Sequence, residues 1–94
     1  METWVVAYDI ADDRRRERIA RVLDDFGRRV QESVFEIWVD DQDWEDLRRR
    51  LDPLVDTSRD LVRCYPVCKS CRQKCLDLGS SGKGAFVREE VIFA

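Results

Sequence analysis

At 94 residues, with 44% hydrophobic and 39% charged residues, the chain reads as one soluble domain, near the size at which a single core leaves little stability to spare. No apolar run approaches the roughly 20 residues of a membrane span. The N-terminus lacks the charged-then-apolar order of a secretory signal, and three tryptophans argue against disorder, so the cytoplasm is the expected location. A net charge of -3 excludes a polycation drawn to nucleic acid by its overall field, but the charge is segregated. Arg14, Arg15, Arg16, Arg18, Arg21, Arg28 and Arg29 crowd one third of the chain, and Asp40, Asp41, Asp43, Glu45 and Asp46 load the middle. That distribution suits either a basic stripe on an acidic protein or solvated helix faces.

Residues 3 to 10 form an apolar, Val-rich run that reads as a buried strand, with Trp4, Val6 and Tyr8 on one face and Val5, Ala7 and Asp9 on the other. Asp12 or Asp13 caps a helix whose Ile19, Val22, Leu23 and Phe26 make one apolar stripe, and Gly27 is its expected stop. Residues 28 to 39 give one bent strand or two short ones joined near Glu32-Ser33, the second being favoured. A second helix starts after Asp40 or Asp41, buries Trp44, Leu47, Leu51 and Leu54, and is disturbed by Pro53. Residues 60 to 67 make the next strand. The order predicts an α+β fold, a ferredoxin-like βαββαβ sandwich over residues 1 to 78, with both helices on one sheet face and the other face open. Residues 79 to 84, rich in Gly and Ser, read as a flexible linker, and residues 85 to 94 as an extra C-terminal strand suited to the sheet edge of a partner subunit.

Asp9 is the first candidate for chemistry. A carboxylate ending an apolar strand is costly unless it meets a metal, an arginine or a helix N-terminus. A hard oxygen donor suits Mg²⁺, which takes one or two protein carboxylates and keeps waters for phosphate groups; the alternative is that Asp9 caps the following turn. Arg15 falls within the stripe of the first helix, flanked by Arg16 and Arg18, and helical side chains lean toward the N-terminus. It is therefore expected over the strand end, bound to phosphate, paired with Asp9, or snorkelling past the stripe.

The Tyr8-Asp9-Ile10 ending of the first strand, the arginine-bearing helix closed by Gly27, and the block Arg28-Arg29-Val30-Gln31-Glu32-Ser33-Val34-Phe35-Glu36 together resemble the CRISPR-associated Cas2 family over residues 4 to about 66. The resemblance implies a homodimer whose open sheet faces meet. It makes Asp9 the metal-binding and catalytic carboxylate and Tyr8 its catalytic neighbour, and it places Arg16, Arg18, Arg29 and Phe35 at further nuclease-associated positions. The implied reaction is Mg²⁺-assisted phosphodiester hydrolysis, of single-stranded RNA or of double-stranded DNA. The family also implies a non-catalytic task, bridging dimers of the CRISPR adaptation integrase while holding duplex DNA by its phosphates. One carboxylate per chain is thin for a two-metal nuclease, and the chain has no histidine to act as a general base. Two readings from other classes stay open: a ribonuclease toxin of the same fold, against which the Gln31 to Glu36 block argues, and a dimerising interaction domain without chemistry.

Cys64, Cys68, Cys71 and Cys75 depart from that family pattern. Their spacing approaches a four-thiolate zinc site. A disulfide is a second reading, and ordinary reduced thiols, the usual state of cytosolic cysteines, are favoured over both. Arg63, Lys69, Arg72 and Lys74 interleave with them as a basic rim.

Overall fold

A computed structural model describes residues 1–79. The elements run β1 (Glu2–Asp9), α1 (Asp13–Asp24), β2 (Gly27–Gln31), β3 (Val34–Val39), α2 (Asp41–Leu51), β4 (Leu61–Val67) and a short α3 (Lys69–Gln73). The strands make one antiparallel sheet in the order β2-β3-β1-β4, the ferredoxin-like arrangement expected from the pattern. The expected linker beyond Gly79 and the C-terminal strand lie outside the described residues.

Local chemistry sets the boundaries. Asp12 caps α1, its Oδ2 accepting the Arg15 amide at 2.9 Å. At α2 a capping box forms, in which Asp40 accepts the Asp43 amide at 2.8 Å and the Asp43 carboxylate accepts the Asp40 amide. Pro53 cannot extend α2 and instead sits in a 3₁₀ turn, Asp52–Leu54. The 28 to 39 segment is two strands joined at Glu32-Ser33, with Gln31 opposite Val34 but Arg29 opposite Phe35, so Val30 is an extra residue that bulges β2.

Gly27 departs from expectation. It opens β2 rather than ending α1, and the helix ends at Asp24 with Asp25 as its cap. A Cβ on Gly27 would lie 1.9 Å from the Glu36 carbonyl oxygen and 2.5 Å from the Ile37 Cα. Glycine is required here because the β2 and β3 backbones approach too closely for any side chain. The cysteine-bearing segment also holds a feature that composition did not announce, the single turn of α3.

Both helices cover one face of the sheet. Val6, Tyr8, Phe35, Ile37 and Val39 pack from the strands against Ile19, Val22 and Leu23 of α1 and Leu47 and Leu51 of α2, with Ile10 beside them. Each buried aliphatic or aromatic side chain contributes about 1.5–3 kcal/mol of transfer free energy. Trp4 stacks on Trp44, with centroids 4.4 Å apart, and ties β1 to α2. The other face carries Thr3, Val5, Ala7 and Asp9 of β1, Val34, Glu36 and Trp38 of β3, and Leu61, Arg63, Tyr65 and Val67 of β4, as the paired register requires. No described helix covers it, and Leu61 and Tyr65 are 52% and 48% exposed.

Candidate active site

Asp9 ends β1 opposite Leu61 of β4 and is exposed. Its carboxylate makes no hydrogen bond or ion pair with any described residue. The turn that follows is served by other carboxylates. Asp12 caps α1, and Asp60, just before β4, accepts the Ala11 amide at 2.9 Å and the Asp56 amide at 2.9 Å. The Ala11 amide bond is the foremost influence holding the Asp60 carboxyl below its ordinary range, with the Asp56 amide and Arg15 adding to it against desolvation. Thus the structural work that Asp9 was expected to share falls to Asp12 and Asp60.

Arg15 turns to Asp60 rather than Asp9. Its Nη2 lies 2.8 Å from Asp60 Oδ2 and 3.0 Å from Oδ1, with side-chain exposures of 23% for the arginine and 0% for the aspartate. The pair ties the start of α1 to the start of β4 and commits Arg15 to the scaffold. Asp60 was missed in the sequence because its three donors come from residues 4 to 49 positions away.

Tyr8 and Asp9, adjacent in sequence, face opposite sides of the sheet. The Tyr8 ring is buried against Phe35, its hydroxyl donates to the Glu32 carbonyl at 3.3 Å, and its amide donates to the Ser33 carbonyl at 3.1 Å. Burial pushes the phenol pKa up, opposed by the charge and hydrogen bond of Arg29 and by the charge of Arg16. Arg16 reaches back to the Ile10 carbonyl at 3.1 Å and pairs with Asp13 at 2.7 Å. Arg29 lies over the Phe35 ring, 5.3 Å from its centroid. The structure therefore gathers Tyr8, Phe35, Arg16 and Arg29 around the helix-side end of β1. Phe35, fully buried, acts as the floor of that cluster. Arg18 stands apart, exposed and without a described partner. On the face of Asp9 the nearest cation by register is Arg63, opposite Ala7 and diagonal to Asp9, likewise exposed. Its alternation with Leu61 and Tyr65 was the sequence signal for that placement.

Among the described residues no three His, Cys, Asp or Glu side chains gather closely enough to hold a metal ion. The four cysteines are free and not assembled as a zinc site. Cys64 packs against the core with its thiol pushed up by burial, while Cys68, Cys71 and Cys75 are exposed. Asp9 offers one accessible carboxylate, which fits Mg²⁺, a cation that takes one or two protein carboxylates and otherwise keeps water.

A family profile described as "CRISPR associated protein Cas2" matches residues 1–75. The chain belongs to the Cas2 family. A CRISPR-associated endonuclease Cas2 of Thermus thermophilus is 52% identical over 64 residues, covering 68% of this chain and 71% of that one. The crystal structure of Streptococcus pyogenes Cas2 superimposes with a TM-score of 0.74 at 30% identity, covering 82% of this chain and 99% of that one. A chain of a partial Cas6-RT-Cas1–Cas2 complex gives a TM-score of 0.69 at 25% identity, over 83% of this chain and 91% of that one. No described helix is long and apolar enough to cross a membrane.

Proposed function

We propose that this Cas2 chain acts in CRISPR adaptation as a homodimer that grips nucleic acid by its backbone and hydrolyses phosphodiester bonds with Mg²⁺ held at Asp9. The observation that carries the reading is the idle carboxylate: Asp12 and Asp60 satisfy the turn and the helix cap, and Asp9 remains exposed and unpartnered at the strand end among the described residues. Exposed and bound to no described side chain, that carboxylate can take a ligand without breaking a structural contact. The open face supports the dimer in that reading, because it presents Val5, Val34, Trp38, Leu61 and Tyr65 with no described element over them.

Bound Mg²⁺ supplies polarisation of a phosphate oxygen and a water acidic enough to attack near neutral pH. The protein's own parts hold the substrate in place. Asp9 would hold the ion through its carboxylate; Tyr8, through its bonds to Glu32 and Ser33, fixes the strand end that carries Asp9. Arg63 shares the face of Asp9 and steadies charge developing on the phosphate. Arg16, Arg18 and Arg29 contact flanking phosphates, which position the strand without reading its sequence. Arg15 keeps the first turn of α1 in register through Asp60.

A second reading has support of its own. The chain has no histidine and gathers no group of three metal-ligating side chains among the described residues, and a related chain was solved in an assembly named for Cas1 and Cas2. On that reading the dimer scaffolds duplex DNA between integrase subunits without cutting it. Cleavage of single-stranded RNA and duplex DNA with Mg²⁺, by wild type and Asp9→Asn, separates the two. Loss of cleavage in the variant supports the nuclease; cleavage that survives removes Asp9 as the metal ligand. Co-purification with the adaptation integrase and duplex DNA at moderate salt tests the scaffold, and failure to form that complex rejects it.

A further inference from the structure

Cys68 follows β4 directly and Cys71 lies one helical turn on, with the Arg72 amide donating to the Cys68 carbonyl at 2.9 Å. A rise of about 1.5 Å per residue on a radius of about 2.3 Å puts Cα atoms three residues apart at about 5 Å. That falls inside the roughly 4.4–6.8 Å window a disulfide requires. The two side chains leave the same turn of chain, and Ser70 Oγ, between them in sequence, sits 3.4 Å from the Cys68 sulfur. Both cysteines are exposed and line an open cavity of about 630 Å³ with Met1, Glu2, Thr3 and Pro66. A cavity of this size admits a small molecule of tripeptide size.

We propose that Cys68 and Cys71 are a dithiol pair that exchanges with low-molecular-weight disulfides and closes reversibly into an intramolecular disulfide. The Cys68 thiolate attacks one sulfur of the small disulfide, forming a mixed disulfide and expelling one thiolate. The Cys71 thiolate then attacks the Cys68 sulfur, forming the Cys68–Cys71 bond and expelling the second. Two protein thiols are oxidised, the small disulfide is reduced to two thiols, and the two protein protons leave with them. The hydrogen bond from Ser70, with the Cys71 amide and thiol behind it, lowers the Cys68 pKa to about 7, so the attacking sulfur is ionised in part at neutral pH. Cys71, held protonated by its proximity to Cys68, is the resolving partner. The other two cysteines are disposed differently. Cys64 is half-buried with its thiol pushed up, and the Cys75 thiol donates to the Cys71 carbonyl at 3.6 Å. The pair also lies far from Asp9. Thr3 is opposite Val67 at one end of β1 and Asp9 opposite Leu61 at the other, a span of about 20 Å at roughly 3.3 Å per residue.

The test uses the full chain, reduced and then exposed to oxidised glutathione. Wild type should lose the mass of two hydrogens, and peptide mapping should place the bond between Cys68 and Cys71. Cys71→Ser should stop at one glutathione on Cys68, and Cys68→Ser should lose the fast reaction. At pH 7 the thiolate fraction is about half for Cys68 against roughly 3% for an ordinary peptide thiol of pKa about 8.5. A Brønsted slope of about 0.45 offsets part of that gain, leaving an initial rate about threefold above a reference peptide thiol at pH 7 and about fivefold below it at pH 10. Wild-type protein that accumulates a stable glutathione adduct on Cys68, a bond mapped to Cys75 or Cys64, or rates that show no crossover with pH would overturn the proposal.

Discussion

Replacing Gly27 with alanine tests the packing that aligns β2, and with it Arg29, against β3. The added Cβ would meet the Glu36 carbonyl oxygen at 1.9 Å, with the Ile37 Cα at 2.5 Å and the Glu36 carbonyl carbon at 2.8 Å. A carbon and an oxygen rest no closer than about 3.3 Å, so the strands must part locally by roughly 1.4 Å, enough to break a ladder hydrogen bond. Overpacking costs about 1–3 kcal/mol and each ladder bond about 1 kcal/mol. The lower unfolded-state entropy of alanine returns about 0.4–1 kcal/mol. The net loss is about 1–3.6 kcal/mol, or a Tm lowered by roughly 4–28 °C for a domain of this size. Urea titrations at one fixed protein concentration read the change as a shift in midpoint at constant slope. A variant within about 0.5 kcal/mol of wild type, smaller than most core perturbations, would show that β2 and β3 do not approach so closely.

Three further outcomes follow from the site. Asp60 has a folded pKa below its unfolded value, so the stability it confers is complete above about pH 4 and fades as pH falls through the folded pKa; Asp60→Asn should flatten the acid limb of a pH–Tm profile, and an unchanged limb would contradict the role given to its three donors. Tyr8→Phe should cost about 0.5–1 kcal/mol in urea and leave cleavage within twofold, whereas a large loss of activity at unchanged stability would make the phenol a direct participant. Arg18→Ala should reduce the slope of log K against log salt by about 0.9 on duplex DNA, whereas Arg15→Ala should leave the slope unchanged and lower the Tm; the reverse pattern would exchange their roles.

The two-period alternation of β1 and β3 and the stripes of α1 and α2 were legible in the sequence because burial on one face imposes those periods directly. The hairpin at Glu32-Ser33 was legible too, although the bulge at Val30 was not, since an extra residue leaves the apolar pattern intact. Gly27 reads locally as a helix stop because glycine commonly follows a helix, while the close approach of Glu36 arises only once β2 pairs with β3. The helix position of Arg15 brings it over the strand end, but its partner there is Asp60, which lies 45 residues away and has no local signature. Adjacent residues on a strand face opposite ways, so Tyr8 and Asp9 lie on opposite faces of the sheet, as the alternation along β1 implies. The cysteines show the limit of spacing arguments. Four thiols at near-zinc spacing are divided by the end of β4, which leaves Cys64 against the core and the other three in solvent.

On the proposed function, neighbouring carboxylates divide the labour: Asp9 serves chemistry and Asp12 serves the fold. Mg²⁺-dependent cleavage and Tm, measured side by side for Asp9→Asn and Asp12→Ala, test it most directly. Asp9→Asn should abolish cleavage with the Tm unchanged, and Asp12→Ala should lower the Tm by removing the cap of α1 while folded protein still cleaves. Cleavage retained by Asp9→Asn, or a Tm that falls with Asp9 and not with Asp12, would contradict the account.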